Sequence, residues 1–83
     1  MTYGYTIADM ADRNVFDEAV SFITDKLHFK ANSDTVEDVD GSLKKEFISA
    51  DGTLTLESDN QIDYVAIRSS VPLPIDCLQK WIS

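Results

Sequence analysis

Between residues 14 and 27, apolar side chains recur at three- and four-residue intervals: Phe16, Ala19, Val20, Ile23 and Leu27, with Val15 and Phe22 widening the stripe. That is the period of one helix face. Asp17, Glu18, Ser21, Thr24, Asp25 and His28 fall together on the other side. Asn14 suits the N-cap, and Asp17 and Glu18 suit the positive end of the helix dipole. The spacing predicts a helix over 14–27, laid on a core and acidic on its outer face. Upstream, Tyr3, Tyr5 and Ile7 alternate as a short edge strand would, but the run into Ala8-Asp9-Met10-Ala11-Asp12 fits a helical turn equally well.

After the helix the period changes to two. Asp40-Gly41 and Asp51-Gly52 are pairs that tight hairpin turns favour, because glycine accepts positive φ without steric cost. Between and beyond them, 43–49 and 53–57 read as strands, with Leu54 and Leu56 alternating against Thr53, Thr55 and Glu57 as in a sheet with one buried face. Ser58-Asp59-Asn60 is a third turn. Residues 62–69, with Ile62, Tyr64, Val65 and Ile67, form the strand expected to be most buried, and 35–39 a weaker one.

Val71-Pro72-Leu73-Pro74 ends the sheet. Pro74 is well placed to open a helix, whose face would carry Ile75, Leu78 and Ile82 with Trp81 beside them. The predicted architecture is α+β: a three- or four-stranded antiparallel meander packed against an N-terminal amphipathic helix and a short C-terminal helix. With 83 residues, two prolines and three glycines, the chain makes one domain spanning 1–83 with no room for a long linker. A chain of this size buries only about 60–65% of its unfolded surface, so the core is thin.

Charge is the unusual quantity. Fifteen acidic residues against seven basic ones give a net charge of −8. Residues 1–40 hold nine acids and three bases, so the acidity is concentrated in the first half. Direct binding to DNA, RNA or an anionic membrane is disfavoured, because such contacts need the opposite sign. Lys44-Lys45 is the only basic pair, and alternation puts its members on opposite faces of a strand. The order helix, three strands, helix resembles that of double-stranded-RNA-binding domains, yet that module grips phosphate with lysines and the charge here argues against it. A single cysteine, Cys77, rules out an intramolecular disulfide and points to a reducing, cytoplasmic setting, which is the host cytoplasm if the protein is viral. No signal-like leader and no apolar run of membrane-spanning length is visible.

Catalytic and metal chemistry find little to work with. An EF-hand frame with Gly41 at its sixth position puts Val36 first and Phe47 twelfth, and the frame on Gly52 puts Phe47 first and Ser58 twelfth. Neither supplies the acid at position 1 and the glutamate at position 12 that calcium requires. One cysteine and one histidine make no zinc site. Cys77 with His28 is the only thiol–imidazole pair, and no phosphate-cradling or nucleophile-elbow motif occurs. No enzymatic activity and no cofactor are expected. Acyl carrier proteins share the size and acidity, but Gly41-Ser42-Leu43 lacks their aspartate and is followed by strands rather than helix.

Binding remains. The first expectation is an inhibitor that docks on a basic nucleic-acid-binding protein, such as a nuclease or a CRISPR effector. Its candidate acids are Asp9, Asp12, Asp17, Glu18 and Asp25, placed on the first helix, and Asp34, Glu37, Asp38 and Asp40, on the loop and strand after it. Carboxylates on such a face lie roughly 5–7 Å apart, comparable to phosphates along a strand. Small phage proteins that block host defence nucleases, some anti-CRISPR proteins among them, and immunity proteins against nuclease toxins use this logic. The parallel lies in size and charge. The alternative is a structural or regulatory domain that binds a partner, or itself as a homodimer, through apolar surface such as Tyr3, Tyr5, Trp81 and Ile82, with acidity serving solubility.

Overall fold

The computed structural model describes residues 2–73. The helix expected after Pro74, with Cys77 and Trp81, lies outside the described residues. In chain order the elements are β1 (Tyr3–Ala8), α1 (Arg13–Asp25), β2 (Lys30–Ala31), β3 (Val36–Glu37), β4 (Leu43–Ile48), β5 (Thr53–Asp59) and β6 (Tyr64–Ser69). The strands form one sheet in the lateral order β1-β6-β5-β4-β2, with β3 also paired to β4, and every pairing is antiparallel. The α+β class stands. The sheet, however, has six strands where three or four were expected. The meander runs from β3 to β6, and two further strands extend it at the edges.

Those two were hard to see for local reasons. The tyrosine alternation of β1 is genuine, and Ala8 is its last residue. A bulge between Thr6 and Ala8 breaks the period there, which is why the following residues also fit a helical turn. β2 is only Lys30-Ala31, both exposed, so no alternation marks it. The strand expected over 35–39 is likewise reduced to Val36–Glu37.

The helix starts at Arg13, two residues before its apolar stripe begins at Val15. Asp12, not Asn14, is the N-cap: its Oδ1 accepts the backbone N–H of Asn14 (2.8 Å) and of Val15 (3.3 Å). With the first turn at residues 13–16, Asp17 and Glu18 sit beyond it, so it holds no acidic residue. At the far end, the Lys26 N–H reaches the Phe22 carbonyl, and His28, in left-handed backbone (φ 60°), turns the chain away. Phe16, Ala19, Phe22 and Ile23 are buried, while Val15, Val20 and Leu27 are half-buried at the border of the stripe.

The helix lies chiefly over β5, in the middle of the sheet. Cross-strand register lines up the face beneath it: Tyr5, Ile67 and Leu56 in one row, Ser69, Leu54 and Phe47 in the next. Phe16, Ile23, Phe47, Leu54, Leu56, Val65 and Ile67 are almost wholly withdrawn from water. Each such side chain contributes about 1.5–3 kcal/mol. The opposite face is polar. There Glu57 Oε1 accepts the Tyr64 hydroxyl (3.0 Å) and pairs with Arg68 (3.1 Å). That hydrogen bond to a carboxylate raises the Tyr64 pKa above its ordinary value.

Two expectations about turns need correction. Ile62 does not open β6: it lies in the β5–β6 turn and is largely exposed, because Asp59 Oδ1 accepts the N–H of Gln61 (2.8 Å) and Ile62 (3.1 Å) and folds the chain into a turn there. The two Asp-Gly pairs also differ. Gly41 takes left-handed backbone (φ 88°), donating to the Asp38 carbonyl (3.0 Å) while Asp38 N–H reaches Ser42 O (2.8 Å), a type I turn closed by a glycine bulge. Gly52 does not have positive φ, and its turn is closed by Ser49 N–H to Gly52 O (2.8 Å).

Candidate functional site

β1 and β5 finish, and α1, β4 and β6 begin, at one end of the sheet. Three loops therefore meet there: residues 9–12, 38–42 and 60–63. They are fastened to one another. Asp63 Oδ1 accepts the Ala11 N–H (2.7 Å), joining the third loop to the first. Asn60 donates its backbone N–H to Ser42 Oγ (3.0 Å) and its side-chain amide to the Asp40 carbonyl (2.6 Å), joining the third to the second. Arg13, at the start of α1, pairs with Glu37 at 3.6 Å, although both side chains are mostly in water and the pair is worth little by itself.

The loops are rich in acid, and the acids shape them. Asp12 caps the helix, Asp38 Oδ1 accepts the Val39 N–H (3.2 Å), and Asp40 Oδ1 accepts the Ser42 N–H (2.9 Å). Bonding from the Ser42 backbone and side chain holds the Asp40 carboxyl below its usual pKa. Asp59 and Asp63 play the same part in the third loop, and Asp63, in left-handed backbone (φ 66°), also closes that turn with its N–H on the Asp59 carbonyl (2.8 Å). These bonds to Oδ1 hold each carboxylate in place. Val39, Ile62 and Met10 stand exposed on the same three loops. Between the β3–β4 turn and β5 lies an open hollow of about 260 Å³, lined by Asp38, Asp40, Lys44, Glu57 and Asp59 among others.

The candidate acids therefore do not share one face. Asp9, Asp12, Glu37, Asp38 and Asp40 come together at the loop end, with Asp9 and Asp12 preceding the helix rather than lying on it. Asp17 and Glu18 lie further along the exposed side of α1. Asp25 closes α1 at the opposite end of the molecule, and Asp34 lies in the exposed stretch between β2 and β3. Sequence reasoning missed Asp59, Asp63 and the exposed apolar side chains beside them. The run Asp59-Asn60-Gln61 carried the signal for the first of these, since an aspartate opening a polar turn commonly accepts the N–H two residues on.

Of the aromatics proposed as apolar anchors, Tyr3 and Tyr5 are half-buried, and the Tyr5 hydroxyl accepts the Leu73 N–H (3.0 Å). Lys44 is exposed and Lys45 half-buried, on opposite faces of β4. Among the described residues no three His, Cys, Asp or Glu side chains are grouped to hold a metal ion, and no helix is long and apolar enough to cross a membrane. No protein-family model, curated protein or solved structure matches the chain.

Proposed function

We propose that the loop end docks on a basic surface of a nucleic-acid-handling protein, occupying the place of phosphate and inhibiting it, as an acidic mimic of the anti-defence or nuclease-immunity type acting in the cytoplasm. The observation that carries this reading is the mutual fastening of the three acidic loops. Carboxylates held by Oδ1 hydrogen bonds and by cross-loop bonds need little further ordering when a partner arrives, and pre-organisation is where binding saves most of its entropy cost. Val39, Ile62 and Met10 supply apolar contact among the charges, as an interface whose charged groups steer and whose apolar groups hold would require. The reading involves no catalysis.

The test is capture of partners from cell lysate on the tagged protein, released in steps of rising salt, with and without Asp9→Asn, Asp38→Asn and Asp40→Asn together. Asparagine removes the charge and, at 38 and 40, keeps the turn-forming oxygen. Recovery of a nuclease or other nucleic-acid-binding protein that leaves at moderate salt, and is lost with the triple variant, supports mimicry. A partner that resists high salt and tolerates the triple variant favours the second reading, an interaction domain working through apolar surface. The exposure of Met10, Val36, Val39, Ile48 and Ile62 is what recommends that alternative.

A further inference from the structure

The two edges of the sheet are built differently. At one edge, β4 is covered by two strands of two residues each, bearing Lys30 and Glu37, and the chain between them also satisfies β4: Asn32 N–H reaches the Glu46 carbonyl (2.8 Å), and Glu46 N–H reaches Ser33 Oγ (3.2 Å). Short strands and charge are the ordinary protections of an edge. At the other edge stands β1, six residues long, with no strand on its outer side among the described residues. It has no proline and no lysine. It is also the only described strand without a charged side chain, in a protein of net charge −8. Its bulge falls near its end, between Thr6 and Ala8, and leaves the stretch before it regular.

We infer that β1 is the seam of a homodimer, pairing antiparallel with β1 of a second copy about a two-fold axis at Gly4. The regular stretch ahead of the bulge, Tyr3 to Thr6, contains that residue, the one position of the strand with no side chain to oppose its own copy at the axis. Such an axis stands perpendicular to the sheet, so both helices lie on the same side and residues of like face meet. Tyr3 then lies opposite Tyr5 of the partner subunit on the helix side, an aromatic cross-strand pair of the kind that stabilises sheets. On the open side, Gly4 meets its own symmetry mate. Among the described residues nothing calls for a glycine there: its φ is not positive, and a Cβ would meet none of their atoms within 4 Å. Antiparallel pairing also carries the two acidic loop ends to opposite ends of the seam, so like charge does not oppose association where the chains touch. The seam is independent of the acidic loops and makes no use of Asp9, Asp38 or Asp40.

Sedimentation velocity across micromolar to millimolar concentrations tests the seam, with amide hydrogen exchange of β1 followed over the same range. The expected result is a monomer–dimer equilibrium in which β1 amides gain protection as concentration rises. Gly4→Lys sets two ammonium groups against each other at the axis and should weaken association by about tenfold or more, a change of about 1.4 kcal/mol or more. Thr6→Lys, on the same exposed side, should act in the same direction. Circular dichroism of dilute samples should stay unchanged in both, which separates a lost seam from a lost fold. A wild-type chain that remains monomeric throughout, or a dimer that both lysine variants leave at full strength, overturns the inference. The triple asparagine variant of the loop end should dimerise normally, so failure of either reading leaves the other standing.

Discussion

Asp12, Asp38, Asp40, Asp59 and Asp63 each accept a backbone N–H at Oδ1, so replacing one of them removes both a charge and an acceptor. The two losses separate by choice of substitution. Asp12→Ala should lower the stability measured by urea unfolding by about 1 kcal/mol, the usual cost of an N-cap, with the slope of the transition unchanged. Asn14→Ala, at the residue the sequence pattern suggested as the cap, should change it by less than about 0.5 kcal/mol. If the two variants behave the other way round, the helix starts where its apolar stripe starts. The pattern misleads here because a cap lies outside the periodic segment. Asp12 and Asn14 are both good capping residues, and only the geometry of the chain entering from β1 decides between them.

Among elements, those with a one-sided burial pattern were readable and those without one were not. α1, β4 and β5 each alternate or recur against a buried face, and their positions follow from Phe16, Ile23, Phe47, Leu54 and Leu56. β2 carries no such pattern, and β3 is fixed by its pairing with β4 more than by its own two residues. The acidic loop end was harder still, since its assembly depends on Asn60 and Asp63 reaching across to other loops. Turn chemistry named both Asp-Gly pairs but assigned both the same reason. Gly41→Ala should cost about 1–3 kcal/mol, because an L-residue is strained at φ 88° and its Cβ would press on the Asn60 amide. Gly52→Ala should cost less, about 1 kcal/mol: its Cβ would displace the Ser70 hydroxyl, which accepts the Thr53 N–H. Thermal unfolding of the two variants ranks them, and the reverse order would contradict the turn assignments.

For the molecule as a whole, the concentration of carboxylates at one end sets a cost that salt relieves. Added sodium chloride should raise the melting temperature of the free protein, since screening weakens repulsion among the loop acids, and the rise should be smaller in the triple asparagine variant. Partner capture by the loop end should move the opposite way with salt, so the two measurements together separate repulsion within the chain from attraction to another. The topology has a further consequence during synthesis. β1 precedes every other element, yet the register that holds it, Tyr3 opposite Ser69 and Tyr5 opposite Ile67, belongs to the last described strand. A nascent chain on the ribosome therefore exposes an uncharged, tyrosine-bearing strand until β6 has emerged. The loop this closes is long, and contacts so distant in sequence form slowly. Over that interval the same segment is open to chaperones and to neighbouring nascent chains.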